Sequence, residues 1–143
     1  MKFYLKSLGC KQNALEGQII QNELIKNGFL EVSDIKNADI YILNSCSVTS
    51  HSDSQTNYLL HHAKKINPNI KTVLTGCCAQ TYKLHENFKY ENIDLVIGNK
   101  EKINIVDFIE KSGLFVEDIM KQREFQNKFL INPSSTRTSL KIQ

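Results

Sequence analysis

The sequence of 143 residues has no long apolar run. A helix that crosses a bilayer needs about 20 consecutive apolar residues, and the longest uncharged apolar stretch, around Ile40 to Leu43, is far shorter. The amino-terminal segment MKFYLKSLGC is interrupted by Lys6, and its apolar run is too short for a signal peptide. We therefore expect a cytoplasmic location and no membrane partner.

The sequence also lacks the short motifs of several common classes of enzyme and metal site. It contains no GxGxxG, no Walker phosphate-binding loop, no Ser/His/Asp pattern and no internal repeat. Four cysteines are present, but no two of them form a CxxC pair, the usual spacing in a closed structural zinc site. These absences argue against nucleotide binding by a standard loop, serine hydrolase chemistry and a zinc ribbon.

The composition is ordinary for a globular protein, with 41% hydrophobic and 23% charged residues. The length predicts one main domain, which can bury about two thirds of the unfolded surface and needs no disulfide bonds. The formal net charge of +3 permits contact with nucleic acid but is more typical of ordinary solvated surface. In a reducing cytosol, grouped cysteines are more often metal ligands or catalytic groups than disulfides.

Short apolar strands alternate with helical patterns along residues 1–113. The predicted strands are Lys2–Leu8, Asp39–Leu43, Lys71–Thr75 and Asp94–Ile97, and the predicted helices are Asn13–Asn27, Ser52 or Asp53 to about Ile66, Thr81–Phe88 and Glu101–Lys111. Such alternation predicts parallel strands joined by right-handed crossovers. We predict an α/β fold: a small doubly wound, mostly parallel, flavodoxin-like sheet of four to five strands with helices on both faces.

Residues 114–143 have a different pattern. Met120–Leu130 is charged and could form one more helix, Asn132–Thr136 has the composition of a linker, and Arg137–Gln143 alternates like the start of a strand. We expect this segment to be a helix and linker that lead into a further domain.

Three cysteines each follow a predicted strand by one to three residues: Cys10, Cys46 and Cys77. Ligands of open parallel sheets bind beyond the carboxyl ends of the strands. If the strand order is 2-1-3-4, the first three strands are neighbours about 4.8 Å apart, and the three thiols converge. Three thiolates favour an iron–sulfur cluster with one open iron over a closed zinc site.

Other interpretations of these residues remain open. Cysteines are small apolar residues that often pack at strand ends, and a redox-active thiol pair is a third possibility. We interpret Cys78 as a packing residue whose side chain points away from Cys77, and Asn13 as an N-cap or as a residue that orders the loop of Cys10. The further polar groups that we interpret as solvated surface or helix-end residues are His51, His61, His62, Glu16, Lys64, Lys65, Lys100, Glu101 and Lys102.

The segments LGCKQNALEG, ILNSCSVT and VLTGCCAQ, in this order and spacing, resemble the amino-terminal domain of radical-SAM methylthiotransferases. The resemblance covers essentially the whole chain, because RTSLKIQ is similar to the segment that leads into the radical-SAM domain of that family. It implies a flavodoxin-like α/β domain in which Cys10, Cys46 and Cys77 hold an auxiliary [4Fe–4S] cluster. The family more often has another residue at the position of Cys78, so the resemblance implies no ligand role there.

The resemblance also implies what the complete protein does. A second [4Fe–4S] cluster would bind S-adenosylmethionine through a CxxxCxxC motif, which this sequence lacks. We therefore expect the chain to be inactive alone and the complete enzyme to insert sulfur at a C–H bond of tRNA and methylate it, with a sulfur donor as a further partner. The auxiliary cluster would carry the methylsulfur group on its open iron.

The spelling of the motifs is most similar to the branch that acts on threonylcarbamoyladenosine beside the tRNA anticodon. The isopentenyladenosine branch and the ribosomal protein S12 branch are the alternatives within the family. Outside it, the alternatives are a flavodoxin-like redox or flavin-binding module and a nucleic-acid-binding module. The loop KSLGCKQN is a poor flavin phosphate loop, because it has a single hydroxyl, and the lysines are scattered.

Overall fold

A computed structural model describes residues 1–46, 50–81 and 92–116 of the chain. The strands are β1 (Lys2–Ser7), β2 (Leu30–Glu31), β3 (Ile40–Ser45), β4 (Lys71–Gly76), β5 (Leu95–Ile97) and β6 (Gly113–Phe115). The helices are α1 (Lys11–Lys26), α2 (Ser50–Ile66) and α3 (Cys77–Thr81), with 3₁₀ helices at Ile35–Asn37 and Glu101–Asp107. The strands form one sheet in the order β2-β1-β3-β4-β5-β6, and all of its pairs are parallel.

The pairing register brings the carboxyl ends of the three central strands level with one another. Ser7 of β1 lies opposite Asn44 of β3, and Ser45 of β3 lies opposite Gly76 of β4. All six residues of β3 are buried, as expected for the middle strand of a sheet that is covered on both faces. Residues that directly follow β1, β3 and β4 therefore share one edge of the sheet.

Helices cover both faces of the sheet. Successive side chains of a strand point to opposite sides, so each face presents apolar side chains against which helices pack. On one face, Ile20 and Leu24 of α1 and Ile105 of the second 3₁₀ helix pack against Ile42 and Val73. The other face has its own apolar cluster, which contains Tyr41, Leu43 and Leu74 of the sheet, Leu60 and Ala63 of α2, and Cys78 and Ala79 of α3. This arrangement confirms the predicted doubly wound α/β fold.

The sheet has six strands where the sequence predicts four to five. The two residues of β2 are exposed, and β6 is a three-residue strand that contains Gly113, so neither strand has a period that can be recognised in the sequence. The four predicted strands have the order β1-β3-β4-β5, so β3 is the middle one of the three that precede the cysteines, and not β1 as the predicted order 2-1-3-4 implies. The 2-1-3-4 order holds only when the unpredicted β2 is counted, and the three strands that precede the cysteines are neighbours as expected.

One of the predicted helices differs from the observed one, and another cannot be compared with the described residues. The predicted helix over residues 101–111 is a 3₁₀ helix that ends at Asp107, with Asn104 in a non-helical conformation. A short helix that was not predicted, α3, covers Cys77–Thr81. The predicted helix Thr81–Phe88 lies, apart from Thr81, outside the described residues, as do the predicted helix Met120–Leu130, linker Asn132–Thr136 and strand Arg137–Gln143. Within the described ranges, no helix has the length and apolar character needed to cross a membrane.

Candidate functional site at the carboxyl edge of the sheet

The three cysteines predicted as ligands lie at the same edge of the sheet. Cys46 directly follows β3, Cys77 directly follows β4, and Cys10 lies three residues beyond the end of β1. Cys10 and Cys77 are exposed, and Cys46 is partly buried. Because β1, β3 and β4 are adjacent, the fold brings thiols that are far apart in sequence to three neighbouring loops.

Cys46 and Cys77 interact directly. Partial burial raises the pKa of the Cys77 thiol, and the charge of Cys46 and a hydrogen bond with Cys46 raise it further. Lys102 acts in the opposite direction on this pKa, and Glu16 has a smaller effect that raises it. A negative charge on Cys46 therefore opposes ionisation of Cys77, as close like charges do, and a cation would relieve this repulsion.

The backbone of Gly9 lies against Cys46. Gly9 has φ +100°, and a Cβ atom built on it would lie 2.5 Å from Cys46 Cβ and 3.2 Å from Cys46 Sγ. Both the positive φ and the contact require a residue without a side chain. Gly76 is similarly restricted, because a Cβ there would lie 2.7 Å from Asn44 Oδ1. The glycines before Cys10 and Cys77 thus allow the loops to approach β3 closely.

Cys10 is the N-cap residue of α1. Its backbone is extended, with φ −80° and ψ 172°, and its side chain makes no capping hydrogen bond. The positive end of the helix dipole therefore lies at this edge of the sheet and would favour an anionic ligand there. No acidic residue occupies the first turn of α1, so within this helix no carboxylate competes with the thiol for that end.

Two buried asparagines join the loop of Cys10 to β3. Asn13 Nδ2 donates to the carbonyl oxygens of Leu8 (2.6 Å) and Asn44 (3.0 Å), and Asn44 Nδ2 donates to the carbonyl oxygen of Asn13 (2.8 Å). Asn13 is 3% exposed and Asn44 is fully buried. Of the two predictions for Asn13, the one that it orders the loop is therefore confirmed, and the one that it caps the helix is wrong because α1 begins at Lys11.

Lys102 does not lie on the solvated surface, contrary to the prediction, and Glu16, predicted as a carboxylate of the first turn of α1, lies beyond that turn and pairs with Lys102. Lys102 is 2% exposed, and its Nζ donates to Glu16 Oε2 and to Asn99 Oδ1 (2.6 Å). Glu101 is also buried. The sequence carries no signal of this, because the run of Lys100, Glu101 and Lys102 has the composition of an exposed turn and the partner is 86 residues away.

Cys78 lies on the other side of the sheet edge, as predicted. Its side chain is fully buried, and its Sγ lies 3.4 Å from Ser45 Oγ, 3.7 Å from Thr56 Oγ1 and 3.6 Å from Asp53 Oδ1. The adjacent Cys77 is exposed. The two side chains diverge, so Cys78 packs among hydroxyl groups and is not part of the candidate site.

The histidines contribute nothing to this site in the described part of the chain. His62 stacks on Tyr58 with ring centroids 5.7 Å apart, and His61 Nδ1 lies 3.4 Å from Asn92 Nδ2. Both lie in α2, and these contacts do not involve a cysteine. The side chain of His51 and all of His85 lie outside the described residues.

The donor set fits a thiolate-bound cluster better than a single metal ion. Among the described residues, no three His, Cys, Asp or Glu side chains come together closely enough to hold one ion. A four-iron cluster is several atoms across, so its ligands surround it and do not converge on one point. Thiolates are its usual ligands, and the three unpaired cysteines at this edge of the sheet have that chemistry.

The chain matches the model of a family described as "Uncharacterized protein family UPF0004" over residues 2–98. It is 31% identical to the threonylcarbamoyladenosine tRNA methylthiotransferase MtaB of Aquifex aeolicus, over the whole chain and 36% of that protein. It is 34% identical to the tRNA-2-methylthio-N(6)-dimethylallyladenosine synthase of Desulfotalea psychrophila, over 77% of the chain and 25% of that protein. The MtaB of Thermotoga maritima is 36% identical over 73% of the chain and 24% of its own length. The chain thus spans about a quarter to a third of the length of these relatives.

Proposed function

Because the chain belongs to the UPF0004 family, we propose that it is the amino-terminal cluster-binding domain of a tRNA-modifying methylthiotransferase. The observation that supports the proposal is the placement of Cys10, Cys46 and Cys77 just after three adjacent parallel strands, at one edge of the sheet. Named methylthiotransferases that are similar to the whole chain support the same function.

The proposed cofactor is a [4Fe–4S] cluster held by these three thiolates. When bound, such a cluster supplies one iron without a protein ligand, to which a sulfur-containing group can be attached. The chain's own residues bind and position it. Gly9 leaves room beside Cys46, the amino terminus of α1 lies at Cys10, and the Asn13–Asn44 pair holds the loop between β1 and α1 in place.

We propose that the chain acts as part of a longer enzyme and does not catalyse the reaction by itself. It lacks the CxxxCxxC motif that would hold the second cluster and S-adenosylmethionine, and both would be supplied by a further domain. The proposed substrate is tRNA, modified at threonylcarbamoyladenosine beside the anticodon, since relatives with this name match the chain over most or all of its length. The dimethylallyladenosine substrate is the alternative, and it is supported by relatives of that name.

The ligand assignment is tested by anaerobic reconstitution with iron and sulfide. The chain and its variants Cys10→Ala, Cys46→Ala, Cys77→Ala and Cys78→Ala are compared by iron and sulfide analysis and visible absorption. We expect about four irons per chain in the wild type and in Cys78→Ala, and a large loss of iron in the other three variants. Cys78→Ala is the matched control, because it removes a thiol adjacent to the site that faces the opposite way.

The result has two informative alternatives. A folded wild-type chain that takes up no iron would refute the cluster proposal and leave the three thiols as packing or redox groups. Full iron uptake by Cys10→Ala would show that Cys10, which lies farthest beyond the end of its strand, is not a ligand.

A further inference from the structure

Cys46 has a cysteine beside it on only one of its two neighbouring strands. On the β1 side, the ladder with β3 continues past the end of β1 through a hydrogen bond from Leu8 N to the carbonyl oxygen of Asn44 (2.9 Å). The next residue, Gly9, lies level with Cys46, because a Cβ atom built on it would be 2.5 Å from Cys46 Cβ. The neighbour of Cys46 on this side therefore has no side chain, and Cys10 lies one residue beyond it.

On the β4 side, the neighbour of Cys46 is Cys77. Ser45 and Gly76, the residues directly before the two cysteines, are cross-strand partners. Adjacent strands are about 4.8 Å apart, and a disulfide joins residues whose Cα atoms are about 4.4–6.8 Å apart. The two thiols are also hydrogen-bonded to each other, so their side chains point towards a common position. The register therefore places Cys46 and Cys77 at a spacing that a disulfide can bridge.

The other two cysteines are placed less favourably for a disulfide with Cys46. Cys78 is fully buried within the apolar cluster on the α2 side of the sheet. Cys10 is the N-cap residue of α1, and Gly9 occupies the position level with Cys46. Cys77 is exposed and Cys46 is partly buried, so a small disulfide molecule in solution reaches Cys77 first.

We propose that Cys46 and Cys77 form a reversible disulfide in the chain that holds no cluster. The oxidant is a low-molecular-weight disulfide such as glutathione disulfide. The thiolate of Cys77 attacks it, which forms a mixed disulfide and releases one glutathione thiol, and the thiolate of Cys46 then attacks the Cys77 sulfur and releases the second. The protein loses two electrons and two protons, and the two released glutathione molecules carry them.

This disulfide and the proposed cluster exclude each other, because both use the sulfur atoms of Cys46 and Cys77 and only a thiolate is a metal ligand. The disulfide itself follows from the strand register, whereas its competition with cluster binding rests on the proposed function. A disulfide is reversible and protects its two sulfur atoms from irreversible oxidation. Reduction of the pair would then have to precede binding of a cluster.

The test is disulfide mapping of the reduced, cluster-free chain after anaerobic incubation with glutathione disulfide at about pH 8.5, where about half of ordinary thiols are ionised. Mass spectrometry of tryptic peptides, without reduction, should show the peptide of Cys46 joined to the peptide that contains Cys77 and Cys78. Because these last two cysteines share one peptide, the experiment is repeated with Cys78→Ala, which should give the same cross-link. Dithiothreitol should remove the cross-link in both proteins.

Cys46→Ala is the matched variant for the reaction sequence. It lacks the second thiol, so the mixed disulfide cannot be resolved and glutathione should remain attached to Cys77. Cys10→Ala should form the cross-link as the wild type does. The inference would be overturned by a wild-type chain in which Cys46 and Cys77 each carry glutathione and are not joined, or in which either of them is joined to Cys10.

The same mapping on the reconstituted chain separates this inference from the proposed function. If both thiols hold the cluster, glutathione disulfide should give no cross-link there. A cross-link between Cys46 and Cys77 in chains that retain about four irons would overturn their assignment as ligands and support the disulfide. A reduced chain that forms the cross-link but takes up no iron would overturn the cluster proposal alone.

Discussion

At the scale of single residues, the candidate site depends on a glycine without a side chain as well as on the cysteines themselves. The three thiols come from loops that approach one another closely, and a single added methyl group at Gly9 would overlap Cys46. Buried asparagines supply the hydrogen bonds that hold these loops. The identity of the residues beside the cysteines therefore matters as much as the cysteines do.

Gly9→Ala should therefore reduce stability and iron uptake more than a glycine-to-alanine substitution at a distant position with a positive φ. Gly28→Ala is the matched control, because Gly28 also has a positive φ, +83°, but has no atom within 4 Å of an added Cβ. We expect Gly28→Ala to cost about 1 kcal/mol of backbone strain with iron uptake unchanged. Gly9→Ala should cost roughly 1–3 kcal/mol more through overpacking and should reduce iron uptake.

Urea denaturation and iron analysis after reconstitution measure both effects. Equal losses of stability in the two variants, with full iron uptake in Gly9→Ala, would mean that Cys46 can move away without consequence for the site.

At the scale of secondary-structure elements, the two ends of the sheet have different roles. The carboxyl edge carries the thiols, whereas near the amino ends of β4 and β5 a polar cluster joins the elements. Asp94 Oδ2 accepts hydrogen bonds from Lys64 Nζ of α2 (2.7 Å), Thr72 N (2.7 Å) and Thr72 Oγ1 (3.0 Å) of β4. This cluster stabilises the fold at a distance from the site.

The cluster around Asp94 predicts a dependence of stability on pH. Burial tends to raise the pKa of Asp94, but the hydrogen bonds from Lys64 and Thr72 outweigh it and hold that pKa below its ordinary value. A carboxyl group with a lowered pKa in the folded state stabilises the protein above the unfolded-state pKa of about 4. The stabilisation is lost as the pH falls through the lower folded-state pKa.

We expect Asp94→Asn to lower the free energy of unfolding by about 1 kcal/mol at pH 7, a value reduced by solvent screening because the side chain is 36% exposed. The difference from the wild type should shrink as the pH falls from 5 towards 3 (roughly the range spanning the two pKa values). Urea denaturation at several pH values measures it. If the difference in the free energy of unfolding between the wild type and Asp94→Asn grew as the pH fell, the lowered pKa of Asp94 would not be the cause.

At the scale of the whole molecule, one sheet joins two apolar cores. The cluster on the α1 side and the cluster on the α2 side contain alternate residues of the same strands, such as Ile42 and Leu43 of β3. Because both cores depend on the same strands, we expect the described domain to unfold in one cooperative transition.

Truncations on the two faces should therefore lower the same unfolding transition. Ile20→Ala in α1 and Leu60→Ala in α2 each remove a buried side chain, 1% and 0% exposed, and should each cost about 2–5 kcal/mol. Ile25→Ala is the control in the same helix, since Ile25 is 49% exposed, and it should cost well under 1 kcal/mol. Two separate transitions, detected by calorimetry and circular dichroism, would show that the cores are independent.

The α/β class and the placement of the cysteines could be predicted from the sequence because both depend on local patterns. Strands β1, β3, β4 and β5 and helices α1 and α2 have apolar periods that are visible within a short window, and their predicted bounds agree with the observed ones to within a few residues. Since parallel strands end at a common edge, cysteines that directly follow neighbouring strands lie at the same edge of the sheet, and this does not depend on how the helices pack.

The tertiary structure alone determined the features that depend on distant partners. Strands β2 and β6 exist because neighbouring strands offer them hydrogen bonds, and not because their sequences favour extended backbone. Lys102 is buried because Glu16, 86 residues away, neutralises it, and Asn13 is an ordering residue because Asn44, 31 residues away, returns its hydrogen bond. The apolar periodicity that predicts a helix or strand lies within a short stretch of sequence. The environment of a charged or amide side chain instead depends on which distant elements pack against it.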